Sequence, residues 1–319
     1  MNHNVHININ CQDTYGQTPF WIACRFGHID IVKLLLNNDR TDVNQTDKNG
    51  QTPFYIACYN EHIKIVEELL RDQRVDINQV DNGGWSPTYF ACATGKTEIM
   101  KLLLYEKGID INKANSNGWT PFLVACRNEN LEIVKLLFNN ERIRINQPDT
   151  KYGRTAFSLV CGNGHIEIVQ LFLNDERVDL NRIDDEGWSP LHYACQNKHL
   201  EIAQYLFASG KDMNLNLTAK NKYGKTVIDT SREREKTEKE KGVGESEELY
   251  QKRQNRNTKI VELLESFERN PNETRQQLRI QLGLAGNISI SIYSFFLFYF
   301  LSLNINSILK ILMLLLFLQ

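Results

Sequence analysis

Six of the seven cysteines recur at a nearly constant spacing, which limits the chemistry they could support. Consecutive members lie 34 or 35 residues apart: Cys24, Cys58, Cys92, Cys126, Cys161 and Cys195. A zinc site needs ligand pairs about two to four residues apart, and this spacing does not offer them. Stacked helices lie about 8–10 Å apart, whereas a disulfide needs Cα atoms within about 7 Å. The spacing therefore predicts small buried thiols of a repeat protein in a reducing compartment.

Other residues that could do chemistry also follow the repeat. The Gly-Lys-Thr strings at 95–97 and 224–226 lack the glycine that a phosphate-binding loop places five residues earlier, where Phe90 and Ala219 stand. Four histidines recur at predicted helix starts and are interpreted as structural: His28, His62, His165 and His199. No nucleophile–base pair or metal cluster stands out, so the sequence predicts no enzyme and no cofactor.

The elements that position these residues form one repeated unit. A glycine precedes a phrase such as QTPFWIAC (17–24) or WTPFLVAC (119–126), in which Thr suits a helix N-cap and Pro the first helical position. A second helix follows with a 3.6-residue apolar period, as in IDIVKLLL (29–36). A polar loop then ends in a hydrophobic residue and an asparagine, as in Val43-Asn44. Each unit therefore predicts a helix, a turn, a second helix and a β-hairpin.

The pattern G-x-T-P-x-x-x-A-x-x-x-G-H-x-x-I-V-x-L-L-L resembles the ankyrin repeat. The resemblance covers residues 5 to about 230 with six full copies, and it implies an all-α solenoid with β-hairpin tips. The family's histidine after Thr-Pro-Leu is kept only at His192, so we expect its hydrogen bonds to be missing from most repeats. The period of 34 exceeds the family's usual value of about 33, which predicts a longer loop after the second helix.

We divide the chain into four segments. These are an ankyrin solenoid at 1–231, a charged insert in the seventh repeat at 232–257, a last-repeat helix with an amphipathic cap at 258–286, and a hydrophobic tail at 287–319. The charged insert is interpreted as a solvated helical extension or a disordered stretch. Because the chain begins partway through a unit, we expect either a bare starting hairpin or a truncated gene model.

The tail leaves three interpretations open. Residues 288–303 are a 16-residue run without charge, whereas a membrane-spanning helix needs about 20 apolar residues. Extended to 318, the tail is interpreted as a membrane anchor. Its residue types also suit A/T-rich codons, and Gly286-Asn287 could be encoded by a splice-donor-like sequence, which indicates intron read-through. The third interpretation is a buried helix. The predicted location is cytoplasmic, with membrane anchoring through residues 288–318 as the alternative.

The resemblance implies that a partner binds at the hairpin tips and on the concave face of the first helices. Carried over position by position, the hypothetical contact residues are Arg25, Phe26, Tyr59, Asn60, Trp85, Thr94, Trp119, Arg127, Asn128, Arg154, Trp188, Gln196 and Asn197. Three of the four tryptophans lie at tip positions, where an indole either binds a partner or packs on the next hairpin.

These features predict a non-enzymatic, monomeric scaffold that binds a protein partner. The net charge of −2 argues against nucleic acid as that partner. The alternative function is a tail-anchored membrane adaptor, or a membrane-protein subunit with a cytosolic ankyrin domain.

Overall fold

The protein is described here from a computed structural model that covers residues 8–209, 217–237 and 245–284. The described residues form fifteen α-helices and no β-strand. The predicted all-α solenoid is therefore confirmed, with tips that are hydrogen-bonded turns rather than paired strands. In chain order the helices are α1 Pro19–Phe26, α2 Ile29–Leu36, α3 Pro53–Tyr59, α4 Ile63–Arg71, α5 Pro87–Thr94, α6 Thr97–Tyr105, α7 Pro121–Arg127, α8 Leu131–Phe138, α9 Ala156–Asn163, α10 Ile166–Leu173, α11 Pro190–Gln196, α12 Leu200–Ala208, α13 Val227–Thr237, α14 Glu247–Arg269 and α15 Pro271–Gln281.

The inner helices (α1, α3, α5, α7, α9 and α11) begin as the sequence predicts. In α1 the Thr18 hydroxyl accepts a hydrogen bond from the Trp21 amide at 3.1 Å, and Pro19 occupies a position that needs no N–H donor. The same cap opens all six inner helices, although Ala156 replaces the proline in α9. Inner helices are therefore short and start at defined residues.

The outer helices (α2, α4, α6, α8, α10 and α12) bury an apolar stripe, as Ile65, Val66 and Leu69 do in α4. Neighbouring inner helices pack more extensively than neighbouring outer helices. The stack therefore curves with the inner helices on its concave side. Ile31 is 47% exposed whereas its equivalent Ile65 is 1% exposed, because in the described part the first repeat has a neighbour on one side only.

An asparagine ladder (Asn10, Asn44, Asn78, Asn112 and Asn146) ties each repeat to the next. The Asn78 side chain donates to the Gly108 carbonyl at 2.7 Å and accepts from the Asp110 amide at 2.8 Å. The other four asparagines make the equivalent pair of bonds one repeat along. These bonds fix the loop after the outer helix, and they satisfy some of its backbone groups.

The tips also stack directly on one another. The Thr150 amide donates to the Asn117 carbonyl of the preceding tip at 3.3 Å, and four other tip pairs make the same backbone bond. Gly118 has φ +76°, and a Cβ added there would lie 2.2 Å from the Thr150 nitrogen. Gly84 has the same φ, but its added Cβ would lie 3.1 Å from the nearest atom, the Ser116 nitrogen. Glycine at 118 is therefore required both by the turn and by the approach of the next tip.

Three helices close the C-terminal side of the stack. α13 and α14 pack against each other, and Arg232 of α13 forms an ion pair with Glu265 of α14 at 2.6 Å. α15 packs on α12 and α14 through buried Leu278. In the described parts of 232–257 the residues continue these helices, and the boundaries of the four segments stay a prediction.

The predicted tail, 287–319, lies outside the described residues. Within the described ranges, no helix is both long enough and apolar enough to cross a membrane.

Candidate protein-binding face

The predicted contact residues lie where the concave face and the tips are accessible. Nine are exposed and four are half-buried, the latter being Trp119, Arg154, Trp188 and Gln196. None of the predicted contact residues is part of the buried core. Their accessibility permits contact with a partner, and their local geometry divides them into groups with different properties.

An aromatic patch (Tyr59, Trp85, Tyr89 and Phe90) lies on the second and third repeats. The ring centroids of Tyr59 and Phe90 are 4.7 Å apart, and Trp85 stacks on Tyr89 at 5.6 Å. Trp85 is 39% exposed and Tyr59 is 44% exposed, so the patch presents apolar surface to solvent. Side chains held by ring packing lose little further conformational freedom when a partner binds. The patch therefore has the composition and rigidity of a binding hot spot.

Tyr89 and Phe90 are absent from the sequence-based set because that set took only one tip position and the two residues after each Ala-Cys pair. Their signal is present in the sequence, since YF precedes Ala-Cys in the third repeat where LV stands in the fourth. A helix places residues four apart on one face, and Phe90 accordingly lies beside Thr94, whose hydroxyl donates to the Phe90 carbonyl.

Trp119 lies beneath two arginines. The guanidinium carbon of Arg127 is 5.0 Å from the Trp119 ring centroid, and that of Arg154 is 5.7 Å from it. Arg154 also donates to the buried Asp149 carboxylate at 2.9 Å, which neutralises part of its charge. Arg127 is exposed and has no ion pair among the described residues. Trp119 therefore packs under the next tip's arginine, as the packing alternative predicts, while Arg127 stays accessible.

A similar cation–π arrangement marks the first repeat. The Arg25 guanidinium lies 5.6 Å from the buried Trp21 ring and 5.3 Å from the ring of Phe26, which is 59% exposed. A groove of about 400 Å³ opens between Arg25, Trp21 and Tyr59. Asp47 also lines this groove, but its carboxylate accepts the amides of Asn49 and Gln51 and so belongs to the tip turn.

Several predicted contact residues already serve the repeats themselves. The Asn128 side chain donates to the Ala93 carbonyl at 2.9 Å, and that of Asn197 donates to the Gly162 carbonyl at 2.6 Å. Trp188 lies against the His192 and Tyr193 rings at 5.6 Å each and is half-buried. The two asparagine bonds hold neighbouring inner helices together, whereas the Trp188 contacts join a tip to the inner helix of its own repeat. Among the predicted contact residues, the exposed aromatic and charged side chains therefore lie on the first four repeats.

The recurring histidines and the first Gly-Lys-Thr string are part of the same framework. His62, His165 and His199 each form a hydrogen bond through Nε2, at 2.9–3.0 Å, with a backbone carbonyl near the end of the inner helix of the preceding repeat. Lys96 of the first Gly-Lys-Thr string pairs with Glu61 of the preceding repeat at 2.9 Å. Three of the four histidines therefore join repeats, in agreement with their structural interpretation, whereas His28 is exposed and its side chain makes no such bond within the described residues.

The six periodic cysteines are buried in the core, whereas Cys11 is exposed. Burial raises the pKa of the Cys195 thiol to about 12, and it raises the pKa of the other five thiols as well. Thiols with such pKa values are poor nucleophiles at neutral pH. In the part of the chain that the structure describes, no group of three His, Cys, Asp or Glu side chains is placed to hold a metal ion.

Comparison with the sequence profiles of protein families decides the identity of the repeats. The profile described as ankyrin repeats in three copies matches residues 2–81, 65–149 and 143–216. The chain belongs to the ankyrin-repeat family. Among solved structures, the ankyrin repeat domain of Bcl-3, described as a unique member of the IkappaB protein family, is similar with a TM-score of 0.61 and 26% identity. The alignment covers 67% of this chain and 94% of that domain. No curated protein sequence matches the chain.

The residues at the position of the family's histidine form different hydrogen bonds in different repeats. His192 keeps the family's histidine, and its Nδ1 accepts from the Ser189 amide at 3.2 Å in a capping box. Where other residues replace it, two make a bond to the following tip instead. The Trp21 indole donates to the Gln51 carbonyl at 2.8 Å, and the Tyr55 hydroxyl donates to Asp81 at 3.4 Å. Ankyrin repeats are a protein-interaction fold.

Proposed function

We propose that this ankyrin-repeat protein is a non-enzymatic scaffold that binds a protein partner through the concave face and tips of its first four repeats. The observation that carries the proposal is the aromatic patch. Four aromatic rings pack together there: Tyr89 is buried, Phe90 is half-buried, and Tyr59 and Trp85 are both more than one-third exposed. Monomeric proteins leave large clustered aromatic side chains exposed mainly where something binds.

Two further features support this location. The Arg25 and Arg127 guanidinium groups lie over aromatic rings on either side of the patch, and arginine and tryptophan are enriched in binding hot spots. The repeats are tied to one another by the asparagine ladder and by the tip bonds. A partner would therefore meet a preformed surface and pay little ordering entropy.

The test is affinity capture with the full chain as bait, compared with Tyr59→Ala and Trp85→Ala variants. Both substitutions truncate exposed rings, so the fold should persist, and far-UV circular dichroism checks this. Truncation of a hot-spot aromatic weakens binding by at least about 2 kcal/mol, or about thirtyfold, and the captured partner should be lost.

Tyr105→Ala is the matched control. Tyr105 ends outer helix α6 and is 85% exposed, so the variant also removes a tyrosine ring but leaves the concave face intact. Retention of the partner by the concave-face variants, together with its loss in Tyr105→Ala, would move the binding surface to the outer helices and refute the proposal.

A further inference from the structure

The inner and outer helices differ sharply in charge. None of the six inner helices contains Asp or Glu, and two of them contain arginine. Every outer helix contains at least one acidic residue. Among these twelve helices, the only cations on a helix without an acidic residue are therefore Arg25 of α1 and Arg127 of α7, both on the concave side.

Carboxylates near this face have partners within the protein: Asp47, which lines the groove beside Arg25, accepts the amides of Asn49 and Gln51. Asp149 is fully buried against Arg154, and Glu61 and Glu129 pair with Lys96 and with His165, respectively, one repeat along. By contrast, Arg25 and Arg127 have no carboxylate partner among the residues of the described ranges. Each guanidinium carbon lies within 5.6 Å of an aromatic ring centroid, and no carboxylate of the described ranges occupies its N–H groups. A guanidinium can bind a carboxylate in bidentate fashion.

We infer that the concave face recognises an extended peptide segment with acidic side chains on either side of an apolar or aromatic centre. The inference rests on the proposed function and names its partner class. Electrostatic complementarity supplies the acidic part, because two unpaired cations flank the patch. The exposed Tyr59 and Trp85 rings supply the apolar part, because they offer a surface on which an aromatic or proline side chain can pack.

The spacing of the arginines sets the length of the segment. Arg25 lies on α1 and Arg127 on α7, three inner helices apart. At about 8–10 Å for each helix spacing the two guanidinium groups are about 25–30 Å apart. An extended chain rises about 3.3 Å per residue, so about eight or nine residues separate the two acidic positions. A helical segment of that length would span only about half the distance.

The experiment uses three fluorescein-labelled peptides of about twelve residues with the same Leu-Pro-Phe centre. Their flanks carry Asp and Glu, Asn and Gln, or Lys and Arg. Fluorescence anisotropy with the full chain should give the tightest binding for the acidic peptide. Arg25→Glu and Arg127→Glu should each weaken it about tenfold and slow its association, and rising salt should weaken it further. Lys64→Glu, an exposed charge reversal on outer helix α4, is the matched control and should have little effect.

The outcomes separate this inference from the proposed function. The acidic partner would be refuted if the acidic and neutral peptides bound equally well and neither arginine variant changed their binding. If Tyr59→Ala still weakened that binding, the proposed scaffold function would be supported. Failure of all three peptides to bind would overturn the inference, while affinity capture still decides the scaffold. A single-stranded oligonucleotide that binds more tightly than the acidic peptide, and depends on the same arginines, would overturn it in favour of nucleic acid.

Discussion

Gly84 and Gly118 offer a matched test of how tightly successive tips are stacked. Both have φ +76°, so alanine at either position incurs the same left-handed strain of about 1–2 kcal/mol. Stiffening of the unfolded chain offsets about 0.4–1 kcal/mol of that in both. The difference lies in what the new methyl group meets. At Gly84 the nearest atom is 3.1 Å away and a small shift accommodates it, whereas at Gly118 the Thr150 nitrogen is 2.2 Å away and a backbone segment must move.

Displacement of packed structure costs about 1–3 kcal/mol, so we expect losses of about 1 kcal/mol for Gly84→Ala and about 3 kcal/mol for Gly118→Ala. Urea unfolding followed by circular dichroism measures both. Thr150→Ala in the Gly118→Ala background should recover only part of the loss, because it removes two side-chain contacts at 2.6 Å but leaves the backbone contact. Equal losses for the two glycine variants would refute the close stacking of tips that underlies this reasoning.

Three further predictions concern the core and the joints between repeats. In the native protein a thiol reagent should modify Cys11 alone, and the six buried cysteines should react only after unfolding. Reaction of a second thiol before unfolding would contradict the burial of those six cysteines. Asn78→Ala removes two inter-repeat bonds and should cost about 1–3 kcal/mol in urea unfolding, whereas exposed Asn37→Ala should stay within about 0.5 kcal/mol. Burial lowers the pKa of His192 to about 4, so the unfolded chain binds the proton first and stability falls from pH 6.5 towards pH 4. In His192→Gln the urea midpoint should fall less steeply between pH 6.5 and pH 4. The same dependence of the urea midpoint on pH in the variant would exclude His192 as the cause of the stability loss.

The repeat framework could be predicted because its residues act locally. Thr18 caps a helix and Pro19 starts it whatever the distant sequence does, and these signals recur at one spacing through six repeats. Apolar periodicity then orients the outer helices. The cross-repeat bonds are different in kind, because the partners of Asn44 and Asn78 are known only when the next repeat is in place. The same spacing marks these residues, but spacing alone does not say which atom they reach.

The binding surface is harder to predict than the repeat framework, because its residues do not recur from repeat to repeat. Positions that every repeat shares serve the stack, so an individual binding face must be built from residues that differ between repeats. The residue type at a tip position does not by itself decide how exposed the side chain is. Trp188 occupies a tip position as Trp85 does, yet His192 and Tyr193 partly bury it. Trp85 also has two ring neighbours, Tyr89 at 5.6 Å and Phe90 at 6.4 Å, but it stays 39% exposed because the second ring packs less closely on it than Tyr193 packs on Trp188. The same residue type at equivalent positions thus becomes structural or available to a partner according to the side chain one helical turn away.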